Sequence, residues 1–258
     1  PGRIFKPVRI IPINLFTDDM SGNRTKKHNK FDSWIFVPAA LPLKMRHQLE
    51  YTQFICTAHI LSAMEMLPAI VDDLVLLEDG VEMRMSDGEP CLVIAPVQFI
   101  TADNARHAEI ASTIGAMSNK PCRKCTWDKR TIPVPDGSNY QNTRRCESIV
   151  HQIYQAFCQS GGVDSSLLVD EQRGYKLTGG QELLRLRSFG TMLDCPIELL
   201  HTVMLGVGKE LVKDMLQHYL NPSQKEILQS MLFSYNSKGF SRKLRSSLRL
   251  HGSFLGRD

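Results

Sequence analysis

The chain has 258 residues, 42% hydrophobic, 22% charged and 7% aromatic, with a net charge of +4. This is the composition of a folded globular protein with enough apolar residues for one large core or two small ones, and it excludes disorder, collagen and coiled coil. No apolar run approaches the roughly 20 residues that a membrane span needs, so no membrane partner is expected.

Residues 8–17 (VRIIPINLFT) are β-branched and apolar with Ile11, Ile13 and Leu15 alternating, which predicts a strand in which Pro12 marks a bulge or ladder gap. This segment runs straight into Asp18-Asp19. The polar turn Ser21-Gly22-Asn23 and a basic run lead to a second predicted strand over 33–41 and a third over 53–59, together an antiparallel meander. Over 61–79, Leu61, Met64, Leu67, Ile70, Val71, Leu74 and Leu77 recur at helical spacing. They predict an amphipathic helix kinked at Pro68, with its acids forming a solvent-facing layer without chemistry. The nearly continuous apolar run 91–100 has the pattern of a strand buried on both faces. It ends before Asp103 and Asn104, either of which can cap a helix over 105–114.

Strand, strand, strand, helix, strand, helix is the order of an α/β fold, here a ribonuclease-H-like mixed sheet flanked by helices. Beyond Gly115 the pattern changes: a cysteine pair and a proline-rich loop over 131–137 lead into predicted helices near 143–159, 181–187, 197–219 and 223–235. The expected organisation is an α/β core over 1–114 followed by a knuckle loop and a mainly helical segment over 115–258. The opening has neither an initiator methionine nor a signal-peptide core, and a basic stretch precedes Gly256-Arg257-Asp258, so the chain is expected to be an internal fragment.

Charge is segregated along the chain. Arg24, Lys26, Lys27 and Lys30 form one basic group, and Lys238, Arg242, Lys243, Arg245 and Arg249 another. Glu65, Asp72, Asp73, Glu78, Asp79, Glu82, Asp87 and Glu89 lie between them. The first basic group follows Asp18-Asp19 directly, so a phosphate backbone reaching those acids would meet its side chains, with salt-dependent and sequence-independent affinity. A solvated hairpin loop is the alternative.

Asp18 and Asp19 at the end of the first predicted strand and Asp103 at the end of the fourth are the candidate catalytic acids. In a ribonuclease-H-like sheet these two strands are neighbours, so the carboxylates converge. Their hard oxygens suit Mg²⁺ or Mn²⁺, and two such ions about 3.5–4 Å apart can activate a water or 3′-hydroxyl at a phosphodiester. The same residues also serve as ordinary turn and cap chemistry.

Cys122-Arg123-Lys124-Cys125 is a C-x₂-C knuckle able to offer two thiolates to Zn²⁺. A structural site takes four ligands, and His201 is the preferred third, with Cys146 and His107 as alternatives. A redox dithiol or a metal-free buried pair are the competing readings. The odd count of seven cysteines, with only this pair closely spaced, argues for a reducing compartment.

Five blocks in order resemble the Plavaka-type transposases of fungi, allied to the CACTA and Kyakuja-Dileera-Zisupton groups. They are the run from Leu15 to Lys27, Ala102 to His107, the knuckle, Ile197 to Gly206 with Leu200-His201, and Gly252 to Asp258. The resemblance implies a DDE catalytic core in which two aspartates and a later acid hold two divalent cations for DNA strand cleavage and transfer. It puts the first acid at Asp18 or Asp19, the second at Asp103, and the zinc ligands at Cys122, Cys125 and His201. The third acid would follow His201, with Glu210, Asp214 and Asp258 as candidates or a residue beyond the chain. His28 stands where the family has tryptophan, and His107-Ala108-Glu109 where it has a His-Ser-acid sequence. The implied partners are transposon-end and target DNA and, in the full-length protein, further copies of the chain, in the nucleus. A catalytically inactive, zinc-stabilised DNA-binding relative is the alternative to the enzyme, and an intracellular redox or scaffold protein using Cys122 and Cys125 is a third reading.

Overall fold

The computed structural model describes residues 6–21, 30–130 and 144–234. The fold is mixed α/β. Its elements begin with β1 (Val8–Ile10), β2 (Ile13–Ser21), β3 (Lys30–Pro38), the short α1 (Leu43–Arg46), β4 (Gln53–Ala58), α2 (Ala63–Asp79), β5 (Val81–Arg84), β6 (Pro90–Ile94), β7 (Val97–Thr101) and α3 (Asn104–Ile110). After them come α4 (Glu147–Gln159), the small hairpin β8 (Val169–Asp170) and β9 (Tyr175–Lys176), and a 3₁₀ turn over Gly180–Arg185. The remainder comprises π-helical turns over Leu200–Val207 and Met215–Tyr219 on either side of α5 (Gly208–Asp214), and finally α6 (Pro222–Ser234).

The predicted strands over 8–17 and 91–100 are each two strands, while the one over 33–41 ends at its proline, Pro38. Ile11-Pro12 separates β1 from β2 and Ala95-Pro96 separates β6 from β7, and at both places the chain passes from one sheet to the other. β1, β6 and β5 form a three-stranded sheet in the order β1-β6-β5, while β4-β3-β2-β7 form a four-stranded one. β1 runs parallel to β6 and β2 parallel to β7, so the two breaks lie side by side. Proline offers no amide proton to a ladder; around the breaks the Ile11 amide reaches the Ile94 carbonyl at 2.8 Å and the Ile13 amide reaches that of Pro96 at 2.9 Å. β2 also continues through Asp18 and Asp19 to Ser21 rather than ending at Thr17, because it pairs antiparallel with β3 along its whole length, Ser21 against Lys30.

The predicted helix over 61–79 forms over Ala63–Asp79 and runs on through Pro68. Its start is set by a capping box: the Ser62 hydroxyl accepts the Glu65 amide, and the Glu65 carboxylate accepts the Ser62 amide at 2.8 Å. Its apolar stripe, Met64, Leu67, Ile70, Val71 and Leu74, joins Ile13, Leu15, Trp34, Val97 and Ile100 in one core. Each such fully buried aliphatic side chain contributes about 1.5–3 kcal/mol. Trp34 is fully buried and its indole N–H donates to the Ala63 carbonyl at 3.0 Å, locking β3 to the head of α2. The helix predicted over 105–114 ends at Ile110, where Ser112 takes a left-handed conformation at φ 51° and Thr113 bridges to Tyr175.

The chain divides into two compact units, Pro1–Pro196 and Ile197–Asp258. The chain between Gly115 and Ile197 therefore belongs to the first unit: Leu183, Leu186, Phe189 and Cys195 belong to the same core as the sheet. Gly180 makes this possible, since a Cβ there would lie 2.4 Å from the Ile110 carbonyl oxygen at the end of α3. A second cluster of Val150, Ile153, Tyr175, Leu177 and Met192 packs α4 against the β8–β9 hairpin segment. The acidic face of α2, expected to face solvent without partners, is docked by this part of the chain. Arg185 pairs with Asp72 at 2.5 Å, and Glu78 accepts the amides of Arg187 and Ser188 at 2.8 and 2.7 Å. Among the described residues no helix is long and apolar enough to cross a membrane.

Candidate active site

The parallel register of β2 and β7 sets Leu15 beside Ile100 and Phe16 beside Thr101. The Thr101 hydroxyl ties the strand ends together by donating to the Leu15 carbonyl at 3.2 Å. Asp18 and Asp103 each follow that last pair by two residues. β7 is short and β2 is not, so Asp18 stays on a strand while Asp103 leaves its strand and becomes the N-cap of α3, accepting the Arg106 amide at 2.7 Å.

Asp18 is half-buried and accepts the Asp19 amide at 2.8 Å. Burial pushes its carboxyl above the ordinary carboxylate range, and the charges of Asp19 and Asp103 push the same way, against the Asp19 hydrogen bond and the Arg106 charge. The charge of Asp103 thus reaches Asp18 across the ends of the two parallel strands. Asp19, its neighbour in the pleat, faces the other side of the sheet, directly opposite Asp32 of β3. Lys30 lies 3.2 Å from the Asp19 carboxylate and 3.7 Å from that of Asp32. The structure therefore distinguishes two acids that the sequence leaves equivalent: Asp18 is half-buried and feels the charge of Asp103, whereas Asp19 is exposed and pairs with Lys30.

Asp32 and Arg106 were not among the candidates. Both are buried, at 4% and 7% exposure, and they form an ion pair whose other side is the Glu109 carboxylate, 2.6 Å from Arg106. The available signal was spacing. Asp32 precedes the buried Trp34 by two, which puts both on one face of a strand, and Arg106 sits three residues after the cap Asp103, where its amide must meet the capping oxygen.

Next to this site, His107 is fully buried with its Nε2–H on the Ile100 carbonyl at 3.0 Å and its Nδ1 without a partner. A carbonyl only accepts, so the ring is the neutral Nε2–H tautomer. Burial pulls its pKa down to about 4, with the charges of Arg123 and Lys124 acting in the same direction.

The knuckle is held by its own basic residues. Arg123 donates to the carbonyls of Cys195 and Pro196, both at 2.8 Å, and Lys124 donates to those of Met192 and Cys195 at 2.5 and 2.9 Å. Arg145, 4% exposed, reaches the carbonyls of Cys122, Arg173, Gly174 and Lys120 and lies 4.8 Å over the Tyr175 ring. Burial and contact with Cys122 raise the Cys125 thiol. Cys146 is exposed at the head of α4, its sulfur 2.9 Å from the Ser148 hydroxyl. His201 belongs to the second unit, where its Nδ1 meets Glu198 at 2.8 Å. Glu210 and Asp214 are there too, near Lys213 and His218 respectively. Arg24, Lys26, Lys27, the closing basic group and Asp258 lie outside the described residues.

Among the described residues no three His, Cys, Asp or Glu side chains gather as a metal-holding group. The donor chemistry of Asp18 and Asp103, two carboxylates, is that of ligands to a hard divalent cation, and the charge of Asp103 acts on Asp18. At the knuckle the fit extends to two thiols of a four-ligand zinc site. Comparison with protein-family models and with curated proteins finds no match to this chain.

Proposed function

We propose that this chain carries the catalytic α/β core of a DDE-type DNA transposase resembling the Plavaka group, built on a ribonuclease-H-like sheet, with Asp18 and Asp103 as its first two acids. The observation that carries the reading is the parallel pairing of β2 with β7 in the order β4-β3-β2-β7. Asp18 and Asp103, distant in sequence, each follow the last pair of these strands by two residues, and the charge of Asp103 acts on Asp18. A meander of three antiparallel strands, a helix, and a fourth strand parallel to the first is the arrangement expected of that core.

In this reading Asp18 and Asp103 hold the divalent ions, and Asp19 is a structural partner of Lys30. Bound Mg²⁺ or Mn²⁺ would supply the activation of a water or 3′-hydroxyl and the stabilisation of charge at phosphorus. The chain's residues position the acids and the DNA. Arg24, Lys26 and Lys27 contact phosphates without reading sequence. Cys122 and Cys125 are proposed zinc ligands, with a structural role. The partners are transposon-end and target DNA, bridged by more than one copy of the protein, in the nucleus.

The test is divalent-dependent nicking, by the protein, of DNA carrying terminal inverted repeats. Nicking lost in Asp103→Asn is expected. Nicking unchanged in that variant removes Asp103 from the mechanism, and salt-sensitive DNA retention with no cleavage would identify a DNA-binding protein without catalysis.

A further inference from the structure

We infer that Arg106 is a positioning residue for Asp103, fixing the head of α3 so that the Asp103 carboxylate stands beside Asp18. The inference rests on the proposed metal-holding role of those two acids, but its core is conformational. Arg106 acts through both ends. Its backbone amide holds the Asp103 carboxylate at 2.7 Å, while its guanidinium, 7% exposed, is gripped by Asp32 of β3 on one side and by Glu109 of its own helix on the other. Asp32 is itself buried, and Lys30 at 3.7 Å is its other basic neighbour among the ion pairs of the described residues. One residue therefore connects the second acid, through its backbone amide, to β3, through its guanidinium, and β3 is the strand paired with the one that carries the first.

The geometry explains why an arginine is suited to this place. α3 has only seven residues, too few to hold its first turn by propensity alone. The helix must be pinned from outside, and a planar fork can take two carboxylates at once in fixed directions, where an ammonium is a single point charge. Removing the guanidinium would leave Asp32 buried and undercompensated and would free the first turn of α3, with Asp103 on it.

The experiment compares the wild-type chain with Arg106→Lys and Arg106→Gln by amide hydrogen exchange and by Mn²⁺ binding, at a temperature where circular dichroism shows each to be folded. Arg106→Lys keeps the charge and is the variant to rely on if Arg106→Gln does not fold. Exchange of the Arg106 and His107 amides in the first turn of α3 is expected to rise by an order of magnitude or more, while α2 amides stay protected. Mn²⁺ affinity should fall about tenfold, the usual scale for an outer partner of a ligand. First-turn exchange equal to wild type in folded Arg106→Lys would overturn the inference. Asp103→Asn separates the two claims: Mn²⁺ binding unchanged in that variant would refute the metal-holding reading, and the exchange data would still decide whether Arg106 anchors the turn.

Discussion

The carboxyl group of Asp18 on β2 is held above the ordinary carboxylate range by burial and by the charges of Asp19 and Asp103, the latter lying just past the end of the parallel neighbour β7. Replacing Asp103 with asparagine should lower the Asp18 pKa, read by carboxyl-carbon NMR titration. A raised carboxyl favours the protonated form in the fold, so what it contributes to stability is present below the unfolded pKa and lost as pH rises through the folded one. Asp18→Asn should accordingly raise the melting temperature at pH 7, while Asp19→Asn, which breaks a pair with Lys30, should not.

His107 gives the opposite slope. Its neutral ring is favoured in the fold, with the pKa at about 4 rather than 6.5. The unfolded chain therefore binds more protons in that interval, and stability present above pH 6.5 is lost as the pH falls through about 4, amounting to about 3 kcal/mol. Denaturant titrations from pH 7 to 4 should show this loss in the wild type. In His107→Gln, which keeps a donor for the Ile100 carbonyl, the pH-dependent loss should shrink.

Arg145 satisfies four backbone carbonyls and stacks on Tyr175. Arg145→Ala should cost about 3 kcal/mol or more, since buried acceptors are stranded. Gly174→Ala tests the same junction independently. Its φ is +79°, and a Cβ would come within 2.9 Å of both the Arg145 guanidinium and the Lys120 side chain. Chemical denaturation should find it destabilised by more than about 1 kcal/mol.

Glu78 is the acid of α2 that packs rather than solvates. Burial alone would push its carboxyl up, but hydrogen bonds from Ser188 and Arg187 hold it below the usual range. Its contribution to stability is thus present at neutral pH and lost as pH falls through the folded pKa. Glu78→Ala should cost about 1–3 kcal/mol at pH 7 and loosen the segment around Arg187 and Ser188, visible as faster amide exchange there.

What was legible in the sequence follows the range of the forces concerned. The α2 stripe and the helix cap are local patterns: the stripe is present from Met64 onward, with Leu61 before the helix and exposed, and of the two candidate caps Asp103 is the one used. The meander is present as well, with β3 shifted to Lys30–Pro38. The crossings at Pro12 and Pro96 were not legible, because a proline in an apolar run reads as a gap in one strand and only the partner strands show that the ladder changes sheets. β5 escaped notice since four exposed residues after Gly80 bury nothing by themselves. The tie between Asp32 and Arg106 was hidden for a similar reason: it joins a strand to a distant helix, and neither residue stands out among its neighbours in sequence. The docking of Arg185, Arg187 and Ser188 on α2 belongs to the same class.

The most direct test of the account is Mn²⁺ binding by the folded chain, followed by calorimetry or by the loss of the free-ion paramagnetic signal, in the wild type and in Asp18→Asn, Asp103→Asn and Asp19→Asn. The first two substitutions are each expected to weaken binding by at least about tenfold, and the third to leave it nearly intact. Binding that survives in both Asp18→Asn and Asp103→Asn, or that depends on Asp19 instead, would contradict the account.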